Sequence, residues 1–284
     1  MTRRLANLTL IVAATVTTFL FTLTHASSTK AQYIQDASTG IKTLNSNWYS
    51  QDTGLWDGAW WQSANALTTL ADFAILQPGA ANSLGIANII QNTVKNAPKK
   101  FPGFINTFYD DEGWWAMGLI HSYDATGNEG YLETAADIFK DMQTGGGTPC
   151  MGGIFWSKDR KYGSLLGGSV LNTARTLAKA AINALSNQDG ILVETDKCET
   201  QANACGFDAK QFKGVFIRNL SYLNQVIGDG DIRAFILRNA DSVLSKDRDS
   251  NNRMGVAWAG PVIAANGASH GGALDALVAA ARVA

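Results

Sequence analysis

Two kinds of segment alternate along this 284-residue chain, and their alternation limits the folds that it can adopt. The first kind is rich in Trp, Gly, Ser and Asn, and it recurs at 60–65, 110–121, 162–174, 211–223 and 269–281. The second kind has the spacing of an ordinary amphipathic surface helix, and it lies at 33–48, 83–95, 131–142 and 232–245. A repeat of about 50 residues with two helices predicts hairpins stacked in a ring. Small residues permit close approach, so the first kind should face the axis and the second kind should coat the outside.

Short and long connections are expected at opposite ends of this ring. Residues 124–128 and 227–231 combine Gly with Asn or Asp, which predicts tight turns from an inner helix to an outer one. The longer stretches 96–107 and 144–161 run from an outer helix to an inner one, and loops of this kind would form the rim of a cleft. The Gly-rich part of the second stretch lacks the Gly-Lys-Ser/Thr ending of a phosphate loop, so we assign it to that rim.

Two consecutive aspartates, Asp110 and Asp111, stand where an inner helix is predicted to begin, and two tryptophans follow within one helical turn. Sugar cleavage needs one carboxyl to protonate the leaving oxygen and a second to attack or stabilise the sugar cation. Neighbouring helical residues point about 100° apart, so both carboxyls can reach one substrate only at an open helix entrance. We expect Thr107 or Asn106 to cap this helix. The alternative is that both acids merely decorate a solvated helix start.

Aromatic and polar side chains near the starts of inner helices are the candidate sugar contacts. The candidates are Trp60, Trp61, Gln62, Asn65, Trp114, Trp115, Trp156 and Lys213. Indole faces pack on the apolar side of a sugar ring, and polar groups fix its orientation. Consecutive tryptophans cannot share one helix face, so one of each pair should pack in the core, and we assign Trp61 and Trp115 to that role. The chain has eight Trp, several beside polar residues, which favours a carbohydrate cleft over simple packing.

Composition narrows the range of possible functions further. Apolar residues make up 46% and charged residues 17%, which predicts a folded core and excludes a disordered class. The formal net charge is −1 without a basic block, which argues against a nucleic-acid partner. No cofactor is indicated. A zinc site is not expected, because no histidine lies near the cysteines and their spacing is not that of a zinc ligand set.

The N-terminus is typical of a secretory signal. Arg3 and Arg4 precede the apolar run 8–23, and cleavage is expected after Ala26. We therefore predict a signal peptide at 1–26, a single catalytic domain at 27–284, and a secreted or cell-wall location with membrane or cell-wall association. In that oxidising context Cys198 and Cys205 should pair, which leaves Cys150 unpaired.

Two histidines are predicted to be structural. His121 follows the doublet near the same helical stripe, and it is expected to be a core histidine with satisfied hydrogen bonds. His270 lies in a Gly-Ala-Ser-His-Gly run that matches the nucleophile elbow of serine hydrolases. That mechanism needs a histidine later in the chain than the serine's acid partner, and none follows His270, so we reject a serine hydrolase.

Six separated motifs together carry a resemblance. They are Asp-Asp-Glu-Gly-Trp-Trp-Ala (110–116), Tyr-Asp-Ala-Thr-Gly-Asn (123–128), Gly-Gly-Ile-Phe-Trp (152–156), Gln-Phe-Lys-Gly-Val-Phe-Ile-Arg-Asn-Leu (211–220), Val-Ala-Trp-Ala-Gly-Pro (256–261) and Ala-Leu-Asp-Ala-Leu (273–277). In these motifs the chain resembles glycoside hydrolase family 76, the endo-α-1,6-mannanases, and particularly its fungal secreted branch. The resemblance implies an all-α (α/α)6 toroid and retaining cleavage of α-1,6-mannan. It also implies that Asp110 is the nucleophile and Asp111 the acid/base.

The chain departs from this family between its third inner helix and the Cys198 region. Residues 173–191 leave little room for a full outer helix, which predicts that one outer helix near 180–190 is absent or compressed. Two alternatives therefore stay open: a cell-wall transglycosidase acting on mannan-bearing anchors, and an inactive mannan-binding relative. A helical-hairpin enzyme for unsaturated uronides is a weaker alternative, because it needs basic residues that are not clustered in this sequence.

Overall fold

The computed structural model describes residues 28–146, 154–159, 171–200, 205–263 and 265–284. Within these ranges the chain forms ten α-helices and one two-stranded antiparallel sheet. The helices are α1 (Lys30–Trp48), α2 (Trp60–Leu76), α3 (Pro78–Ser83), α4 (Ile86–Asn96), α5 (Tyr109–Thr126), α6 (Glu129–Gln143), α7 (Leu171–Ala184), α8 (Ala209–Ile227), α9 (Gly230–Lys246) and α10 (Gly267–Val283). The sheet pairs β1 (Tyr49–Ser50) with β2 (Leu55–Trp56). The predicted signal peptide and Cys150 lie outside the described residues.

The helices form two layers, as the alternation predicts. In the inner layer α10 packs against α8 and α2, and α2 packs against α5. Residues 267–281 of α10 are all buried, which requires neighbours on every side. The helices α1, α4, α6 and α9 each bury one face and cover the inner layer from outside. The chain is therefore an all-α protein with inner and outer helices.

Glycine explains why the inner helices have an unusual composition. A Cβ atom added to Gly214 of α8 would lie 2.4 Å from the Cα atom of Gly272 on α10, which is too close for any side chain. A Cβ atom at Gly118 of α5 would lie 3.0 Å from the carbonyl oxygen of Ala64 on α2. The small residues of the inner segments thus set the spacing of the inner layer.

The two predicted tight turns are confirmed. Gly127 and Gly228 end α5 and α8 in the left-handed conformation, with φ of 72° and 62°. The side chains of Asn128 and Asp229 then cap α6 and α9 by accepting hydrogen bonds from backbone N–H groups. Each turn therefore ends an inner helix and starts an outer one, and this direction leaves the longer loops at the other end of the inner layer.

A cluster of polar side chains joins the C-terminal ends of the inner helices. Asp72 of α2 lies 2.9 Å from His121 Nδ1 and 3.1 Å from Arg282 Nη2. Tyr222 Oη donates to the other oxygen of Asp72 at 2.5 Å. We call these four residues the far-end cluster. His121 is part of the internal packing, as predicted.

The region around α7 tests the prediction only in part. The sequence predicts an inner segment at 162–174, but residues 160–170 lie outside the described ranges. The helix that follows packs against α8, and its Lys179 binds Asp229 at the start of α9. Leu177 is 64% exposed, so α7 lies on the outer side of α8. Near 180–190, where an outer helix is predicted to be absent or compressed, α7 ends at Ala184 and a bridge between Ser186 and Leu192 closes a turn.

Cys198 and Cys205 form the disulfide that the sequence predicts, with an S–S distance of 2.03 Å. The bond closes the short loop that precedes α8. None of the helices in the described ranges combines the length and hydropathy that a bilayer crossing requires.

Candidate active site

The aspartate doublet lies in the first turn of α5. Phe108 is the N-cap residue, and no side chain in the described ranges caps this helix. The prediction that Thr107 or Asn106 caps α5 is therefore wrong. The side chain of Asn106 instead accepts a hydrogen bond from the Phe108 N–H at 2.9 Å, which shapes the loop before the helix. The dipole at the N-terminus of the helix favours negative charge at this position.

Both aspartates line one cavity of about 550 Å³ at the N-terminal end of the inner layer. This volume falls within the range of about 300–1,000 Å³ that is typical of ligand sites. The lining comes from the starts of α2, α5 and α8 and from the loops beside them. The lining residues are Gly58, Ala59, Trp60, Trp61, Gln62, Lys100, Phe101, Asn106, Phe108, Asp110, Asp111, Trp114, Trp156, Phe207, Asp208 and Phe212.

Asp111 is half-buried in the cavity wall. Asn106 Nδ2 donates a hydrogen bond to Asp111 Oδ2 at 2.7 Å. Burial raises the pKa of Asp111 to about 6, and the negative charges of Asp110 and Asp208 add to the rise while the Asn106 hydrogen bond opposes it. A carboxyl group with this pKa holds its proton at mildly acidic pH and can donate it to a substrate.

Asp110 is exposed to the cavity, and its environment differs from that of its neighbour. Trp156 Nε1 donates a hydrogen bond to Asp110 Oδ2 at 2.9 Å. The Trp156 ring packs against Phe108 with centroids 4.7 Å apart, yet 41% of the residue remains exposed. Trp156 therefore supplies both a hydrogen-bond donor to the doublet and an open aromatic face, and its contact with a substrate stays a prediction.

A third acid, Glu112, lies behind the doublet and is fully buried. Its Oε1 atom accepts a hydrogen bond from the Asn106 backbone N–H at 3.1 Å and lies 2.9 Å from Lys158 Nζ. Lys158 also binds Asp141 of α6 at 2.8 Å. Burial raises the pKa of Glu112 to about 7, against the opposing effect of the Lys158 ammonium.

Trp61, Trp114 and Phe212 form the aromatic wall of the cavity. The ring centroid of Trp61 lies 6.1 Å from that of Trp114 and 5.6 Å from that of Phe212. Trp61 Nε1 donates a hydrogen bond to Asp208 Oδ1 at 2.9 Å. The prediction that Trp61 packs in the core is therefore wrong, because its indole belongs to the cavity wall.

Trp60 borders the same cavity, but its ring packs mainly in the core. Its ring lies 4.8 Å from Trp115 and 4.9 Å from Phe101, measured between centroids. Trp115 is fully buried, as the core assignment predicts, and it is not part of the cavity lining. Of the two tryptophan pairs, the assignment is reversed at 60–61 and correct at 114–115.

Gln62 is a cavity-lining amide that lacks internal partners. Only 3% of the residue is exposed, and neither its side-chain oxygen nor its nitrogen has a hydrogen-bond partner among the described residues. An unsatisfied buried polar group costs about 1–3 kcal/mol. Both amide atoms are shielded from solvent in this structure, so the contact between Gln62 and a substrate stays a prediction.

Asn65, predicted to contact a sugar, lies below the cavity. It is buried, and its side-chain oxygen accepts a hydrogen bond from Arg218 Nη2. Arg218 in turn lies 3.2 Å from Asp275 Oδ1. Asn65 thus joins α2 to α8 and α10 inside the fold, and the predicted substrate contact is wrong.

Lys213 is also used inside the fold. Its ammonium donates to Glu199 beside the disulfide and to the Val256 carbonyl oxygen at 2.6 Å. It also lies 5.5 Å from the centroid of the Trp258 ring. The predictions that Lys213 and Trp115 contact a substrate are corrected, because both side chains are enclosed by protein.

The Ser269-His270 pair belongs to the fold as well. Ser269 forms a reciprocal capping box with Asn266 at the start of α10. His270 Nδ1 accepts a hydrogen bond from the Met254 N–H at 3.1 Å, and Nε2 donates to the Gly40 carbonyl at 2.8 Å. Burial lowers the pKa of His270 to about 4, which keeps the ring neutral. This arrangement agrees with rejecting a serine hydrolase.

Sequence reasoning missed several residues of the site. Asp208 precedes α8 and contributes a third carboxyl to the cavity, and Phe212 follows it on the same helix. Glu112 and Lys158 were not recognised because their contact spans 46 positions, which no local pattern reveals. The sequence predicts Asn106 only as a helix cap, whereas its side chain binds Asp111 of the doublet.

Metal binding has no support in the described ranges, where no group of three or more His, Cys, Asp or Glu side chains could hold an ion. That the protein needs no cofactor stays a prediction from the sequence.

The fold and the cavity together define a class. Adjacent carboxyl groups, one with a raised pKa, in an aromatic-lined cavity at one end of a helical toroid are the features of a glycosidase. Family comparison agrees with this class: the chain belongs to glycosyl hydrolase family 76, whose model matches residues 22–173, more than half of the chain. The predicted family is thereby confirmed, whereas its fungal branch stays a prediction.

Solved structures share this fold. One is an inactive variant of an α-1,6-mannanase from Salegentibacter sp. HEL1_6, with two consecutive aspartates replaced by alanine, in complex with α-1,6-mannotetrose. It is 13% identical, covers 89% of this chain and 99% of its own, and has a TM-score of 0.74. The Lin0763 protein from Listeria innocua is 16% identical over 88% of this chain and 97% of its own, with a TM-score of 0.73.

A third structure is Dfg5 from Chaetomium thermophilum in complex with glucosamine. It is 14% identical, covers 92% of each chain and has a TM-score of 0.61. No curated protein sequence matches the chain. At these identities the structural likeness establishes the fold alone, and the predicted all-α toroid is confirmed.

Proposed function

We propose that this protein is a retaining glycosidase that cleaves α-1,6-mannosidic linkages in mannan, with Asp110 as nucleophile and Asp111 as acid/base. The observation that carries the proposal is the unequal environment of two adjacent carboxyls in one cavity. Asp111 is half-buried with a pKa of about 6, whereas Asp110 is exposed and accepts a hydrogen bond from Trp156. Retaining cleavage needs this division between a proton donor and an anionic nucleophile.

The chemistry follows in two steps. Asp111 protonates the glycosidic oxygen as its bond to C1 breaks, and the Asp110 carboxylate attacks C1 to form a mannosyl-enzyme. A water molecule then attacks C1, gives a proton to Asp111 and releases the sugar with its original anomeric configuration. The Trp156 hydrogen bond holds the Asp110 carboxylate toward the cavity in both steps.

The lining of the cavity supports a neutral sugar as substrate. Trp61, Trp114 and Trp156 offer aromatic faces, and Gln62 borders the cavity with a buried amide that lacks an internal partner. Together with the doublet, Asp208 brings three carboxyls to the lining, which would repel the acid group of a uronide. The likeness to an α-1,6-mannanase bound to α-1,6-mannotetrose supports mannan as the polymer, and the replacement of consecutive aspartates in that inactive variant supports the doublet as the catalytic pair.

Secretion or a cell-wall location is part of the same proposal. It rests on the apolar run 8–23 behind two arginines and on the disulfide, since disulfides persist in oxidising compartments. N-terminal sequencing of protein recovered from the medium or the wall should give Ser27 as the first residue. A chain recovered only from the cytosol, starting at residue 1 or 2, would contradict this proposal.

Incubation of the purified protein with linear α-1,6-mannan tests the function. Proton NMR during the first turnovers should detect new reducing ends as the α-anomer, before mutarotation. A first product with the β configuration would exclude retention, and binding without any new reducing ends would favour the inactive mannan-binding alternative. A parallel reaction with an added acceptor sugar separates hydrolysis from transfer, because a cell-wall transglycosidase would make the longer product in preference to free sugar.

A further inference from the structure

Two hydrogen-bond donors reach the doublet from outside α5. Asn106 Nδ2 donates to Asp111 at 2.7 Å, and Trp156 Nε1 donates to Asp110 at 2.9 Å. Asn106 lies in the loop before the helix, whereas Trp156 lies in residues 154–159. Each carboxyl of the doublet therefore depends on a different segment of the chain for its orientation.

Both segments are fastened to Glu112. The Asn106 backbone N–H donates to Glu112 Oε1 at 3.1 Å, and Lys158 Nζ lies 2.9 Å from the same oxygen. Lys158 is two residues from Trp156, and the Trp156 carbonyl accepts a hydrogen bond from the Tyr109 N–H at 3.0 Å. The buried carboxyl group of Glu112 thus contacts both segments that carry the donors.

We propose that Glu112 is a positioning residue, which does not touch the substrate but holds Asn106 and Trp156 against the catalytic doublet. The inference rests on the proposed function, in which Asp110 and Asp111 carry out the chemistry. Glu112 is fully buried and is not part of the cavity lining, so it cannot act on a sugar directly. Its position immediately after the doublet lets α5 itself set the distance between the anchor and the two reacting groups.

The direction in which the pKa of Asp111 changes in a Glu112 variant separates a positioning role from a simple charge effect. The groups that act on Asp111 are Asn106, Asp110 and Asp208, and those that act on Glu112 are Lys158 and Asp141. With a pKa of about 7, Glu112 carries little negative charge where Asp111 titrates, and losing that charge would by itself only lower the pKa of Asp111. Losing the Asn106 hydrogen bond would raise that pKa, because the bond favours the carboxylate. A rise in the pKa of Asp111 therefore indicates that the Asn106 donor has moved away from it.

The test compares Glu112→Gln with Glu133→Gln, which changes an exposed acid on α6. Carbon-13 NMR titration measures the pKa of the Asp111 carboxyl, and steady-state assays on linear α-1,6-mannan measure kcat, KM and the pH profile. In Glu112→Gln we expect a higher Asp111 pKa and a loss in kcat on the order of 10²-fold, with little change in KM. Glu133→Gln should match the wild type.

Two further variants keep the test valid if Glu112→Gln does not fold. Asn106→Ala should raise the pKa of Asp111 in the same way. Lys158→Met removes the side-chain contact between the Trp156 segment and Glu112 while leaving Asn106 in place, so it should lower kcat without moving that pKa. Lys158 is partly exposed, which makes its replacement tolerable.

The outcomes separate this inference from the proposed function. If the wild type cleaves mannan but Glu112→Gln leaves kcat and the Asp111 pKa unchanged, or lowers that pKa, the positioning role is excluded. The same conclusion follows if kcat falls only in proportion to the folded fraction measured by circular dichroism. If the wild type releases no sugar from mannan but the Asp111 pKa is higher in Glu112→Gln than in the wild type, mannan is excluded as the substrate. The positioning role of Glu112 is still supported in that case.

Discussion

Asp111 and Asp72 are both aspartates on inner helices, yet their surroundings give them opposite properties. Burial acts to raise the pKa of each carboxyl. At Asp111 one amide donor opposes that effect while two neighbouring acids add to it, and the pKa rises to about 6. At Asp72 the combined effect of His121, Arg282 and Tyr222 exceeds that of burial, and the pKa is lowered. At these two aspartates the balance between hydrogen-bond donors, neighbouring charges and burial sets the direction in which the pKa moves.

The largest expected effect is the loss of kcat when an aspartate of the doublet is replaced. Replacing Asp110 by Asn should reduce kcat at least about 10³-fold, because an amide cannot form the mannosyl-enzyme. Replacing Asp111 by Asn should cost roughly 10²–10⁴-fold, the usual contribution of a general acid. Circular dichroism should show an unchanged fold, and Asp137→Asn on the exposed face of α6 is the matched control. Near-normal turnover in either doublet variant would remove that residue from the mechanism.

A substitution in the far-end cluster should lower stability and leave activity unchanged, the opposite of a substitution in the doublet. Replacing Asp72 by Asn leaves Arg282 and His121 without their buried partner, and we expect a loss of about 3–5 kcal/mol in the free energy of unfolding. Urea unfolding measures this loss, and activity per folded molecule should stay the same. Because the pKa of Asp72 is lowered in the fold, its contribution is present above its unfolded value of about 3.9 and disappears as the pH falls. If Asp72→Asn keeps its stability but loses activity, Asp72 is not the structural member of the pair.

The pH dependence sharpens the contrast. Asp111 must be protonated to act as the acid, so kcat/KM should fall as the pH rises through about 6. The pH profile of kcat/KM on a soluble α-1,6-mannooligosaccharide measures this limb. An activity that is constant from pH 5 to pH 8 would mean that Asp111 does not act as the acid.

The smallest effect is expected at Gln62, the unpaired amide of the cavity. Replacing Gln62 by Met removes a hydrogen bond to the substrate worth about 0.5–1.5 kcal/mol, which should raise KM up to about tenfold. The same change removes an unsatisfied buried amide, so the melting temperature should stay the same or rise. A drop in melting temperature with an unchanged KM would show that Gln62 serves the fold instead.

Much of the fold could be predicted because its determinants are local. The small residues at 211–223 and 269–281 pack in the inner layer, where Gly214 meets Gly272. The turns at Gly127 and Gly228 follow from the freedom of glycine to adopt positive φ. The aspartate doublet was recognised because residue type, order and neighbouring aromatics all indicate the same chemistry.

The features that could not be predicted depend on the rotation of a helix about its axis or on contacts between residues far apart in the sequence. Whether Trp60 or Trp61 faces the cavity is decided by the rotation of α2, and a helix that is buried almost all around carries no amphipathic pattern to reveal it. The roles of Lys213 and Asn65 depend on partners that lie 14 and 153 positions away. A polar residue near a tryptophan therefore looks the same in sequence whether it faces a sugar or an internal carboxylate.

The central claim is that Asp110 attacks the sugar from a cavity that it shares with Asp111. Peptide mass spectrometry after brief reaction with a 5-fluoro-mannosyl fluoride, which slows breakdown of a glycosyl-enzyme, tests this claim directly. We predict one fluoromannosyl group per chain, attached to Asp110, and its absence in Asp110→Asn. Attachment to a different residue, or continued cleavage of α-1,6-mannan by Asp110→Asn, would contradict the claim.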